Sequence, residues 1–350
     1  QIIRCSITNS TRSRRMCDSE IKGFYQHKKW PTQKEVSSTR WFVGMLISSI
    51  FSLVYLFTPL YLLVSVTLLL CQYPSIEWSI YFSSPIVLSA IIPPVAVPWL
   101  MGWMTPVLDY FQFERIIETK TVDVRSSMLE EKKNYIFAMQ PHGVISFGAI
   151  CLGVSEDTNQ FRGRVRTGVA SAVLKIPIIK HVMGIFGLTD VSRRNLQSIL
   201  KKPGIEGSVF LYVGGMAELF KSTRKKEVLY LSKRKGFIKL ALQEGVDIVP
   251  LYLFGNTSIF TVFKTGRLAD LSRKLQVSLT YFWGKWYLPV PRDDKLLYVG
   301  GQPLGIPHIP EPTQEEIDHW HKKYCQEVTR IFDKYKELVP AYKHKELIID

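Results

Sequence analysis

Charge is nearly absent from one long stretch of this sequence: between Trp41 and Leu108 the only charged residue is Glu77. Water-soluble cores rarely run so long without charge, and about 20 apolar residues suffice to cross a bilayer as a helix. The stretch divides into two apolar blocks, Trp41–Cys71 and roughly Ile80–Trp103. The first is longer than one span needs, and Pro59 inside it allows a kink or tilt. The second carries Pro85, Pro93, Pro94 and Pro98, which a straight helix tolerates poorly. A kinked span or a re-entrant segment is expected there. Lys and Arg are absent from the link, residues 72–77, but number nine in residues 1–40, and Arg115, Lys120, Arg125, Lys132 and Lys133 follow the second block. Basic flanks favour the cytosolic side, so both termini are expected there and the link on the luminal side.

Other absences narrow the chemistry. The five cysteines, Cys5, Cys17, Cys71, Cys151 and Cys325, are odd in number and form no C-x-x-C pair. That argues against a disulfide framework or a zinc site and for free thiols in a reducing compartment. No G-x-S-x-G turn is present, which disfavours a lipase of that kind, and no H-E-x-x-H, phosphate-binding P-loop or EF-hand loop appears. No metal is implied. No secretory signal is visible, and the chain opens on Gln1, so its native N-terminus is expected to lie upstream.

The net charge is +15. Nucleic acid, an anionic membrane and an acidic substrate compete as explanations. The uneven hydrophobicity favours the membrane, and nucleic acid has charge alone on its side. The chain is read as a basic cytosolic tail (1–40), a membrane-embedded helical hairpin (41–108) and a cytosol-facing α/β domain (109–350). Candidate strands in the last are Asn134–Met139, Ser208–Val213, Asp247–Phe254 and Lys295–Val299. Candidate helices are Leu174–Met183, Ser192–Lys201, Lys235–Gln243 and Thr313–Lys336. Their alternation predicts a mixed, mostly parallel sheet with flanking helices.

The stretch Tyr135–Gly148 carries the clearest signal. An apolar run ends at Gln140-Pro141, and His142-Gly143 follows. Pro141 stops the ladder and Gly143 permits a sharp turn, so an imidazole is presented at a strand end. Histidine titrates near neutral pH and suits proton abstraction from a hydroxyl. A structural loop histidine fits the local pattern equally well. A second strand runs into Gly214-Gly215 and then Glu218. In a parallel sheet this end can face the first, and Glu218 could orient the imidazole or stabilise its cation. A glutamate satisfying backbone donors at a helix start fits as well. The third stretch packs Lys221, Arg224, Lys225, Lys226, Lys233, Arg234, Lys235 and Lys239 against Glu227 alone. A ligand with several phosphates would explain it, as would anionic headgroups. Arg162, Arg164, Arg166, Arg193 and Arg194 could add a second contact. Ser146 stands four residues from His142, a weak coincidence.

Taken together, these residues resemble the type-2 diacylglycerol acyltransferase family, which includes monoacylglycerol and wax-alcohol acyltransferases. Asp109-Tyr110-Phe111, Gln140-Pro141-His142-Gly143, Val191-Ser192-Arg193, Gly214-Gly215-Met216-Ala217-Glu218, Arg234-Lys235-Gly236-Phe237 followed by Lys239, Pro250-x-Tyr252-x-Phe254-Gly255 and the tail Gly301-x-Pro303 to Pro312-Thr313 look like its motif blocks, in order, across nearly all of residues 105–338. The resemblance implies an endoplasmic-reticulum membrane enzyme, also found at lipid droplets, with a glycerolipid-acyltransferase-like fold. It would transfer a fatty acyl group from acyl-CoA to diacylglycerol without a cofactor. His142 would be the catalytic base and Glu218 part of the active-site motif. The basic residues Arg193, Arg224, Lys225, Arg234, Lys235 and Lys239 would hold the CoA phosphates. Backbone N–H groups near Gly143, Gly214 and Gly215 would stabilise the oxyanion. Two positions depart from the pattern: Gln140 replaces the family's first histidine or glutamate, and Gln112 stands where proline is common. Phe147, five residues past His142, excludes the H-x-x-x-x-D dyad of the distant glycerolipid acyltransferases. Within the family a monoacylglycerol or long-chain alcohol acceptor is the alternative. Outside it stand a non-catalytic membrane-lipid binder and a lipid hydrolase. Asn256-Thr257-Ser258 is a glycosylation triplet that would report on the side of the membrane.

Overall fold

All six residues of the run Tyr135–Gln140 are buried, as a strand covered on both faces requires. The computed structural model describes residues 25–30, 37–119, 122–156, 161–215, 218, 222–223, 225–263 and 281–350. Its strands in chain order are β1 (Tyr25–Lys29), β2 (Glu114–Glu118), β3 (Tyr135–Gln140), β4 (Arg166–Val169), β5 (Leu188–Asp190), β6 (Val209–Tyr212), β7 (Lys226–Leu229), β8 (Asp247–Phe254), β9 (Thr261–Val262), β10 (Phe282–Trp283), β11 (Leu297–Gly300) and β12 (Glu346–Ile349). Eight of them form one sheet in the order β1-β2-β11-β8-β3-β6-β4-β5. From β8 to β5 every neighbour is parallel, while β1 on β2 and β11 on β8 are antiparallel. The mostly parallel α/β reading therefore holds. Residues 25–29, read as mobile tail, instead form the edge strand β1: its backbone pairs with β2 from Tyr25↔Glu118 to Lys29↔Glu114.

The helices that matter here are α1 (Ser38–Cys71), α2 (Ile76–Ile91), α3 (Phe147–Val154), α4 (Arg193–Leu200), α5 (Gly236–Glu244) and α6 (Gln314–Tyr335). Strand alternation sends Tyr135, Phe137 and Met139 to one apolar core, shared with α3 and the N-terminal helices. Ile136 and Ala138 face the other core, shared with α4, α5 and α6. α6 begins with a complete capping box, in which Thr313 accepts from the Glu316 N–H and Glu316 accepts from the Thr313 N–H. The predicted helix Leu174–Met183 divides into a 3-10 turn, Val173–Lys175, and a short helix, Ile179–Gly184, with Pro177 between them.

α1 is the one described helix long and apolar enough to cross a membrane. At 34 residues it is about 51 Å long. It is built inside out. Gly44, Ser48, Ser52, Thr58 and Ser65 are buried, while Leu46, Ile50, Phe57, Leu60 and Leu63 are exposed. Four described hydroxyls close on their own helix, Ser49 on Met45 O (2.7 Å), Ser52 on Ser48 O (3.2 Å), Thr58 on Val54 O (2.6 Å) and Thr67 on Leu63 O (2.9 Å). Turning large apolar side chains outward is unfavourable in water at about 25 cal/mol per Å² and is matched to lipid. At Gly44 a Cβ would lie 2.2 Å from Pro106 O, so glycine is what lets α1 touch the domain there. Pro59 lies within α1 without ending it. α2 packs back along α1: Tyr61 donates to Phe82 O (2.6 Å) and Ser79 to Leu68 O (3.0 Å). The proline-rich second block is helical to Ile91, irregular from 92 to 97, and helical again over Pro98–Trp103.

Candidate active site

Three adjacent parallel strands deliver the site. β3 and β6 pair with Met139 opposite Tyr212, and β3 and β8 pair with Gln140 opposite Tyr252. Their C-terminal ends therefore lie side by side, and His142, Glu218 and Asn256 all follow them within a few residues. The half-buried His142 ring meets the Tyr212 ring edge-on, with centroids 4.4 Å apart. Its Nδ1 is 2.7 Å from Gly143 O. A carbonyl can only accept, so in the neutral ring Nδ1 carries the proton and Nε2 keeps its lone pair for chemistry. Burial holds the His142 pKa below the usual imidazole value and keeps the ring neutral at physiological pH.

Glu218 does join His142, but not at the ring. Its Oε2 accepts the His142 backbone N–H at 3.0 Å. The ring's described partner is the Gly143 carbonyl. Glu218 is buried, and desolvation pushes its carboxyl up to about 8. The His142 and Tyr230 N–H groups and the Arg234 charge offset part of that rise, while the Glu227 charge adds to it. Near neutral pH the group is thus mainly a neutral acid. Gly214 is what admits it: a Cβ there would fall 1.8 Å from Glu218 Oε1. Gly143, with φ +67°, is also closely held, since a Cβ would lie 2.7 Å from Asn256 O.

Asn256 is the residue that sequence reasoning missed. Its Nδ2 donates to Pro141 O (3.0 Å), His142 O (2.5 Å) and Ser146 Oγ (3.3 Å), and its Oδ1 accepts the Gly148 N–H (3.1 Å). It is 2% exposed. As a glycosylation reporter it therefore fails, because its amide is spent inside the fold. Nothing in the local triplet signals this role; only strand order does. Ser146 lies in the same cluster, bonded to the Tyr212 hydroxyl and Asn256 rather than to His142. Phe147 is fully buried in the core. Gln140 is also fully buried, and its Oε1 accepts from the Tyr324 hydroxyl of α6 at 2.5 Å.

A pocket of about 590 Å³ opens beside Gly143 and Val144. Hydroxyls of Ser222, Thr223, Thr257 and Ser258 and the Arg292 guanidinium line it. Arg292 holds Ser258 O (3.2 Å), Ile259 O (3.3 Å) and Thr261 Oγ1 (2.8 Å). Lys345 reaches the same wall but is paired with buried Glu227 at 2.9 Å. The basic residues singled out in the sequence are more scattered. Arg193 donates to Gln243 (2.9 Å), Lys235 pairs with Asp318 (2.7 Å), and Arg234 lies over the Tyr230 ring, 5.2 Å from its centroid. Arg234 is the one whose charge acts on Glu218. Lys225 and Lys239 are exposed, and Arg224 lies outside the described residues.

Residues 108–350 match the family model for diacylglycerol acyltransferase. Curated relatives agree. The chain is 34% identical over 245 residues to a protein from Dictyostelium discoideum named diacylglycerol O-acyltransferase 2, covering 65% of this chain and 71% of that one. It is 31% identical over 272 residues to the Danio rerio protein of the same name, covering 72% and 73%. It is 32% identical over 239 residues to human 2-acylglycerol O-acyltransferase 3, covering 62% and 70%. With the histidine, the paired glycines and the buried glutamate assembled past the C-terminal ends of adjacent strands, these matches settle the relationship: the chain belongs to the type-2 diacylglycerol acyltransferase family.

Proposed function

We propose that the protein transfers a fatty acyl group from acyl-CoA to the free hydroxyl of diacylglycerol, forming triacylglycerol, with His142 as general base. The observation that carries this reading is the 2.7 Å approach of His142 Nδ1 to Gly143 O, which assigns the proton to Nδ1 and leaves Nε2 basic in the neutral ring. Nε2 takes the acceptor's hydroxyl proton as the oxygen attacks the thioester carbon. The C–O bond forms, a tetrahedral oxyanion develops, and the C–S bond then breaks. CoA thiolate leaves, reprotonated by the imidazolium. Backbone N–H groups near Gly143, Gly214 and Gly215 are the proposed oxyanion donors. Glu218 acts as a positioning residue that fixes the main chain of His142.

For the CoA phosphates the proposal keeps Arg193, Arg224, Lys225, Arg234, Lys235 and Lys239. Arg234 is exposed, lies over the Tyr230 ring and makes no described ion pair, so its charge is open to a phosphate. The hydroxyl-lined pocket beside Gly143 suits the polar arm of the donor, and the exposed apolar face of α1 suits the lipid that dissolves the acceptor. The basic flanks favour the cytosolic face of the endoplasmic reticulum, with access to lipid droplets.

The test is acyl transfer by purified, detergent-solubilised protein given labelled oleoyl-CoA with diacylglycerol, monoacylglycerol and a long-chain alcohol in competition. Triacylglycerol formed by the wild type and lost in His142→Ala is the expected result. Preference for monoacylglycerol or the alcohol would move the acceptor assignment. Free fatty acid without an acceptor would mark a hydrolase. Full turnover by His142→Ala would sink the mechanism.

A further inference from the structure

Past Trp103, the described residues hold one run of three consecutive large apolar side chains that faces outward. After β10 the chain folds back on itself: Lys285 N–H donates to Val290 O (2.8 Å), Gly284 N–H to Leu288 O (2.8 Å) and Leu288 N–H to Lys285 O (2.9 Å). The tip is Trp286-Tyr287-Leu288, exposed by 64%, 81% and 53%. Three consecutive side chains of that size are not left in water without a reason. Trp286 and Tyr287 also hold φ of 54° and 58°, a left-handed conformation that glycine or asparagine adopts more readily. The turn thus keeps two bulky aromatics at positions where its backbone disfavours them.

The stem fixes where the tip points of contact lie. The Phe282 ring packs on Tyr55 of α1, with centroids 6.0 Å apart. The Lys285 ammonium lies 4.8 Å from the Trp41 ring centroid, 5.7 Å from Tyr110 and 5.9 Å from Trp286, and pairs with Asp293 at 2.7 Å. The hairpin is therefore joined to α1 at its first turn, through Trp41, and near its middle, through Tyr55; Phe42 and Leu46 beside the first contact also face outward. Trp and Tyr at the start of a membrane-crossing segment sit best at headgroup level, with the ring body in apolar surroundings and its polar edge wet.

We infer that Trp286, Tyr287 and Leu288 form an interfacial anchor that enters the phospholipid leaflet in which α1 begins. This rests on the reading of α1 as a membrane segment. The anchor has a direct line to the site: two residues beyond Val290 stands Arg292, which lines the pocket beside Gly143. Seating the tip in lipid holds that pocket at the surface where a lipid-dissolved acceptor arrives.

The full chain, reconstituted in phosphatidylcholine vesicles, carries a photoreactive benzoylphenylalanine at one position at a time: Leu60 in α1, Tyr287 at the tip, or exposed Lys322 on α6. Crosslinking to labelled phosphatidylcholine is expected from Leu60 and Tyr287 and not from Lys322. Lipid crosslinks from Leu60 alone, or protein crosslinks from Tyr287, overturn the anchor while leaving α1 in the membrane. No lipid crosslink from either overturns the reading of α1, and the anchor with it. In parallel, Trp286→Ser combined with Tyr287→Ser should raise KM for vesicle-borne diacylglycerol by roughly fivefold or more, with kcat kept. An unchanged KM overturns the inference.

Discussion

Glu218 holds His142 by its backbone and not by its ring: Oε2 accepts the main-chain N–H at 3.0 Å while Nδ1 of the imidazole turns to Gly143 O. A neutral amide can accept that N–H as a carboxyl does. Glu218→Gln is therefore expected to retain most of the transfer activity, whereas Glu218→Ala, which leaves the buried N–H unpaired at about 1 to 3 kcal/mol, loses it. Gly214→Ala should resemble Glu218→Ala, because its Cβ would displace the carboxyl. Parallel transfer assays and thermal melts check all three. An inactive but folded Glu218→Gln would show that the ionised carboxylate is needed.

The pH dependence follows from two displaced titrations. The folded pKa of His142 lies below its unfolded value, so the base form survives into mildly acidic conditions. Transfer should fall on acidification with an apparent pKa below 6.5. Stability follows the same group, declining as pH drops below 6.5 because the unfolded imidazole binds its proton first. Glu218 has the opposite sign. Its folded pKa, about 8, exceeds the model-compound value of 4.5, so the unfolded chain releases the proton first and stability declines as pH rises through that window. Melts of the wild type and Glu218→Gln at pH 5, 7 and 8.5 should diverge upward in pH, with the variant the more stable at the top. Parallel curves would count against a buried neutral acid.

Asn256→Ala removes one amide that serves two carbonyls and one N–H around the histidine loop. The expected cost is about 2 to 4 kcal/mol of stability, with activity reduced well beyond the loss of folded protein. Circular-dichroism melts read the first and transfer per folded molecule reads the second. Intact activity in the folded fraction would demote Asn256 to a purely structural residue.

Lys345→Ala strands the Glu227 carboxylate, which is fully buried and also held by Ser222 and Thr257. A broken buried pair costs about 3 to 5 kcal/mol. The double variant Lys345→Met with Glu227→Leu should recover much of that stability, since no unpaired charge remains. Denaturant titration distinguishes the outcomes: a single variant as stable as the wild type would mean that the pair is solvated in solution.

The sequence exposed those parts whose periodicity is local. Asp247–Phe254 forms a strand over its whole expected length, and α6 follows its acidic first turn and one-sided apolar face. β4, β5 and β7 escaped notice because strands of three or four residues, partly exposed, carry too little alternation to stand out. The site shows the same divide. His142, Gly143, Gly214 and Glu218 announce themselves through strand–glycine patterns. Asn256 and Arg292 do not, because their roles depend on which strands become neighbours. The carboxyl of Glu218 was readable as a partner of His142, but its choice of backbone over ring was not. A Gly143 carbonyl already occupied the ring nitrogen, and that contact arises from the turn's three-dimensional path.

β1 and β2 are hydrogen-bonded neighbours, yet α1 and α2 lie between them in the chain. A polymer that leaves a sheet and rejoins the same sheet must end its excursion on the side where it began. If α1 crosses a bilayer, parity demands a return crossing. The 16 residues of α2 supply about 24 Å of helix, and the irregular residues 92–97 about 20 Å of extended chain. Together they are long enough for the journey back. With α1 in a bilayer, one short edge strand would thus require an even number of crossings, and it binds both ends of the excursion to the α/β body.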